Sequence, residues 1–337
     1  DRTTWSVIKD ADGVRPIVRD NSGTWEYNST ETINEFDITT ASDTGKTFFT
    51  GSQDNYPQGI TIADNGTRLY VVGYQFDSVY QYGLSTAYDI STASYVRQIS
   101  TASIDSSPQN VTFSPDGTRM YLVGDAGNGI DQYSLSTPWE INTLSHVRFF
   151  STTETSLSDV FFKPDGTKMY VIGRINDRVY QYTLSTPWEI NTASLDTGQF
   201  IVSGQENNPY FIHITPDGTK MFIFGQNTNG RLFEYNLGTA WDSRTAVYAG
   251  VNYATNTATA ESASFSTDGT YFYALNRGTQ TISQYATFSY GYTTATTWVP
   301  ATTNTELAAL QEALTESGTN RMDKTQLEAV TDPNHYT

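Results

Sequence analysis

With 337 residues the chain can bury a sizeable core, and its 36 acidic against 19 basic side chains give a formal charge of −17 that repels an extended phosphate backbone, so no nucleic acid partner is expected. The absence of cysteine rules out disulfides, thiolate metal sites and a cysteine nucleophile, and no apolar run approaches the ~20 residues of a bilayer span, so no membrane insertion is expected. Abundant Tyr (23) and Gly (25) with only 16% charged residues is the profile of many short strands joined by polar turns.

The chain opens at Asp1 rather than Met, without a signal-peptide pattern, which leaves room for an upstream segment. Residues 1–30 carry strand-like pieces broken by Asp-Gly and Ser-Gly. Thr32–Asp37 (TINEFD) resembles the third strand of the repeat that follows, and Lys46–Thr50 resembles a fourth. Five copies of one unit then cover the chain to Phe288. Aligned on the turn glycine they place Gly66, Gly117, Gly166, Gly218 and Gly269 at spacings of 51, 49, 52 and 51.

Each unit begins with a short strand of period two, such as Ile60-Thr61-Ile62 or Ile212-His213-Ile214. Asp-Gly or Asn-Gly then supplies the positive φ of a tight hairpin. A second strand follows (Met169–Gly173 is MYVIG), then a loop of Asp, Asn and Gly, a third strand rich in aromatics (Val179–Tyr182 is VYQY) and a variable fourth. One such meander leaves two apolar faces in water, and stacking copies around an axis buries them. The expectation is an all-β fold, a β-propeller of four-stranded blades, with five blades if the N-terminal strand completes the last unit and six as the alternative.

After the repeats, residues 289–337 predict helices. Thr303 and Glu306 form a capping box ahead of Leu307, Leu310 and Leu314, and a second short helix runs from Asp323 to Val330. The leucine stripe lies on a helix too short to persist alone, so it packs either on its own module or in a bundle with other copies. The organisation expected is a propeller over 31–288 inserted between two halves, 1–30 and 289–337, of a small base module.

The runs SPDGTRMYLVG (114–124) and KPDGTKMYVIG (163–173) resemble the YVTN type of propeller repeat, and the longer form VYQYTLSTPWEINTAS resembles units of virion proteins of marine tailed phages. The resemblance covers about three quarters of the chain. It implies a propeller fold and a non-enzymatic virion structural or adhesion protein, located in the virion and extracellular. The partners implied are other virion proteins, further copies of itself as a trimer, and host-surface glycans. A secreted bacterial lectin-like propeller is one alternative, and a propeller glycosidase or lactonase is another.

The residues carry few enzyme signatures, and no catalytic residue is assigned. No HExxH, GxSxG or P-loop spacing occurs, His146 and His335 stand alone, and His213 is expected to be packed or channel-facing. Asp159 and Glu261 precede first strands, two and three positions upstream of the aligned Phe161 and Ser264, as acids that a glycosidase would need in pairs. No cofactor is expected; Asp125, Asn128 and Asp131 have a spacing open to Ca²⁺ but lack a full loop pattern. Tyr88, Trp139, Trp188 and Trp241 recur at one repeat position, where they serve either as sugar platforms or as lids over the outer strands.

Overall fold

The computed structural model describes residues 31–226, 229–255 and 257–292, with strands at 6–7, 17–21, 24–28 and 299–300. Contacts divide the chain into two compact units, residues 35–288 and residues 1–34 with 289–337. In the second of these, Ser6–Val7, Ile17–Asn21, Thr24–Asn28 and Val299–Pro300 form one antiparallel sheet, and Glu31–Asn34 pairs with Ser289–Tyr292. The TINEF segment therefore ends a flanking ladder and is not a third blade strand. The expected helices, with Leu307, Leu310 and Leu314, lie outside the described residues.

Residues 35–288 form a propeller of five blades, each an antiparallel meander. The inner strands are Pro57–Ala63, Pro108–Phe113, Leu157–Phe162, Pro209–Ile214 and Ala260–Phe265. Each has the inner strands of the two adjacent blades as neighbours, so together they line a central channel. The fifth blade is completed from the other end of the unit: Ser42–Phe49 pairs antiparallel with Thr281–Ala286 as its outer strand. This closure settles the count at five.

Closure repeats one joint around the ring. Tyr70, Tyr121, Tyr170 and Tyr273, on second strands, each donate from the hydroxyl to the backbone carbonyl of an aromatic in the next blade, respectively Trp139, Trp188, Trp241 and Tyr88, at 2.5–2.7 Å. The side-chain oxygens of Gln81, Gln132, Gln181 and Gln284 accept from the amides of Ile141, Ile190, Ser243 and Ile90, again one blade on. At the remaining joint Phe222 replaces the tyrosine and stacks 6.3 Å from Phe36. Between blades the core is apolar; Tyr273, Leu275 and Ile282 of the last blade pack with Ile60, Val71 and Tyr80 of the first.

Phe36 occupies the repeat position of Tyr88, Trp139, Trp188 and Trp241, and all five have positive φ, between 55° and 67°. Each donates its amide to the carbonyl of a hairpin glycine (Gly269, Gly66, Gly117, Gly166 and Gly218 respectively) at 2.9–3.0 Å. A Cβ on any of those glycines would enter the aromatic ring, so the ring lies flat on the turn. The signal for Phe36 was present in the sequence, since FDITTAS (36–42) matches YDISTAS (88–94).

Candidate functional site

Every inner strand breaks register at its second residue, between Pro57 and Gly59, Pro108 and Asn110, Leu157 and Asp159, Pro209 and Phe211, and Ala260 and Ser262. The extra residue of a β-bulge is left out of the ladder and its side chain is re-aimed. The five bulge residues are Gln58, Gln109, Ser158, Tyr210 and Glu261, so the fold sets one of them per blade at the strand-start end of the channel. All are buried, and Gln58 Oε1, Ser158 Oγ and Glu261 Oε2 have no hydrogen-bond partner. Buried polar atoms are nearly always paired, so three unpaired atoms in one ring mark a place built to meet something polar.

Glu261 is the chemical centre of this ring. It is 1% exposed, its Oε1 accepts from Gln226 at 3.2 Å, and the same oxygen forms an ion pair with Arg277 at 2.8 Å. Burial pushes its carboxyl up to about 7, against the pull of Arg277, Tyr210 and Arg174. Arg174 lies over the Tyr210 ring at 5.1 Å, donates to Gln109 Oε1 at 2.8 Å and pairs with Asp125 at 2.5 Å. Arg277 lies over the ring of Tyr56 at 4.5 Å, and Tyr56 leans on Tyr74 at 5.5 Å. A carboxylate with one unpaired oxygen, two guanidiniums and a phenol thus converge from three blades and the loops that join their strands.

At the hairpin end the channel holds a cavity of about 540 Å³ that reaches the turns at Asp64, Ser114, Pro164, Pro216 and Ser266. Asp159 lies in its wall with both oxygens engaged, accepting from Asn110 Nδ2 (2.8 Å), the Val160 amide (2.8 Å) and the Ile212 amide (3.1 Å). Burial raises this carboxyl to about 7 in spite of those bonds. His213 faces the same cavity, with ring centroids of Phe36, Phe161 and Phe265 at 5.4, 5.0 and 4.9 Å.

The structure separates the residues that sequence reasoning considered together. Asp159 follows the bulge of its strand whereas Glu261 is the bulge residue of its own, and the two share no hydrogen-bond partner. Asp125 pairs with Arg174, and Asp131 shares a hydrogen bond with the His146 ring at 2.7 Å, so two acids of the loop considered for Ca²⁺ already have side-chain partners. Among the described residues no group of three or more His, Asp or Glu side chains is arranged to hold a metal ion. Tyr88, Trp139, Trp188 and Trp241 are half-buried on the hairpin glycines, and Trp139 and Trp188 also line the cavity. The bulge ring escaped sequence reading because its five members are of four residue types, with only glutamine repeated. Its signal is positional, the residue after Pro57, Pro108 and Pro209 in aligned strands.

Fold and site together define a closed propeller with a polar, partly unsatisfied ring at one end of its channel. The chain belongs to the family described as lactonase, 7-bladed beta-propeller, whose model matches residues 60–255, from the first blade into the fourth. The ring has five blades, so membership lies in the blade unit and not in the number of copies.

No curated protein sequence matches the chain. Similar solved structures include a protein from Bacteroides uniformis provisionally assigned as a 6-phosphogluconolactonase (15% identity, 71% of this chain and 68% of that one, TM-score 0.41). Others are a functionally unknown protein from Desulfotomaculum acetoxidans (12%, 81% and 89%, 0.44) and hydrazine synthase from Kuenenia stuttgartiensis (13%, 87% and 98%, 0.42). Scores of this size carry no weight for chemistry.

Family membership overturns two expectations, that the chain is a non-enzymatic phage virion structural protein and that it has no catalytic activity, because the family is described by an enzyme class. The physical reason for the error is that the repeat encodes turns, strand alternation and inter-blade packing. Those needs are the same in a display platform and in an enzyme.

Proposed function

We propose that this protein is a hydrolase that opens a lactone at the strand-start end of the channel, with Glu261 as the general base. The observation that carries the reading is the Glu261 carboxyl, buried, held by Arg277 on one oxygen, without a hydrogen-bond partner on the other and raised to about 7. A base poised near neutral pH gives the best compromise between being deprotonated and being able to take a proton. Water drawn to the unpaired Oε2 loses a proton to Glu261 as its oxygen bonds to the lactone carbonyl carbon. The guanidiniums of Arg277 and Arg174 supply the positive charge that stabilises the carbonyl oxygen as it becomes negative. Collapse breaks the acyl C–O bond of the ring, the proton held by Glu261 passes to the departing alkoxide, and an open hydroxy acid leaves.

Glycoside hydrolysis fits less well, because it needs two cooperating carboxyl groups. Asp159 has both oxygens engaged, and Asp125, with one oxygen on Arg174 and the other unpaired, shares no hydrogen bond with Glu261. The test is turnover of a panel of γ- and δ-lactones followed by acid release. Glu261→Gln is expected to lower kcat/KM by about 10²–10⁴ with unchanged circular dichroism. For the parent enzyme kcat/KM rises as pH passes through about 7, because the carboxylate is the active form. A folded protein that opens none of the panel refutes the reading.

A further inference from the structure

The cavity at the hairpin end is unused by this chemistry and has its own polar atom. His213 Nε2 is buried without a hydrogen bond. Burial holds the ring neutral, its pKa pushed down to about 3, so it keeps one donor and one acceptor nitrogen and carries no charge. Several of the other polar groups in the wall are committed. The Thr61 hydroxyl donates to the Val111 carbonyl, and Ser264 Oγ accepts the Ile62 amide at 3.1 Å. Asp159 has its three donors, and Asp64 pairs with Arg68 at 3.0 Å. Among the described residues no Lys or Arg lines the cavity, so an anion would enter without a counter-charge beside two carboxyl groups. The remaining wall is largely aliphatic and aromatic, including Phe161, Phe265, Trp139 and Trp188. A volume of about 540 Å³ is that of a small-molecule site.

We propose that this cavity is a second ligand site, for a compact uncharged ring compound that packs on the aromatic wall and presents a single hydroxyl to His213. The site is independent of the hydrolase reading, and its test needs no turnover.

Phenol serves as the probe, titrated into the full chain with tryptophan fluorescence and ligand-detected NMR as readouts, since Trp139 and Trp188 stand in the wall. Saturable binding is expected, weakened about tenfold in His213→Phe, while toluene, which has no hydroxyl, binds both proteins equally; tenfold is the size of one lost buried hydrogen bond. Thr112→Trp, which fills the cavity from another blade, is expected to abolish binding of both probes and keeps the test decisive if the His213 variant fails to fold. Three results each overturn the proposal: no saturation by phenol below about 10 mM, phenol affinity unchanged in a folded His213→Phe protein, or benzoate binding as tightly as phenol.

Discussion

Gly166 and Gly45 offer a paired measurement of what the aromatic-on-glycine turn contributes. Both have a φ of +72°, so alanine at either meets the same left-handed backbone strain, about 1–2 kcal/mol. They differ in surroundings: a Cβ at Gly45 meets nothing within 4 Å, whereas one at Gly166 falls inside van der Waals contact of Trp188 Cδ1 and Nε1. Gly166→Ala must therefore also lift an indole that packs on Phe162 at 5.3 Å and Tyr121 at 6.4 Å. Losing most of one face of that ring costs about 2–3 kcal/mol more. In a domain of this size the pair separates by roughly 4–12 °C in Tm, at about 2–4 °C per kcal/mol. Thermal and urea unfolding of both variants read this directly. Equal destabilisation by the two substitutions would show that the turns are held by backbone geometry alone and that the rings contribute nothing.

Phe222→Tyr is expected to raise stability by about 0.5–1.5 kcal/mol, because it supplies the hydroxyl that the other four joints donate to a neighbouring carbonyl; urea midpoints at constant slope check it. Deleting residues 1–49 removes Phe36, Ile38 and Phe48 from the fifth blade. At about 2 kcal/mol per buried side chain this lowers Tm by more than about 10 °C or abolishes cooperative unfolding in calorimetry. Glu261 has a folded pKa raised from 4.5 to about 7, so its contribution is fully present below about pH 4.5 and is lost as pH rises through 7. Glu261→Gln should flatten the fall in stability over that window, and an unchanged slope in chemical denaturation between pH 5 and 8 would show that the carboxyl titrates normally.

How much of this molecule could be read from its residues follows from which interactions are local. The five turn glycines, the alternation in Ile60-Thr61-Ile62 and its counterparts, and the recurrent aromatics are short-range patterns. They fixed the blade, its strand number and the need to stack copies, because a half-buried strand requires period two and a tight hairpin requires positive φ. Closure by Lys46–Thr50 was legible for the same reason, whereas Phe36 was assigned to a strand although FDITTAS repeats an aromatic turn. The site was a different matter. Gln109, Tyr210 and Glu261 are up to 152 positions apart and share no chemistry, so nothing local connects them. Only the ring, by repeating one bulge around an axis, brings them to a common level, buries Glu261 beside Arg277 and leaves its second oxygen unpaired. The repeat itself determined that this chain folds as a propeller; what the propeller does was decided by which unlike side chains the fold carried to the same end of its channel.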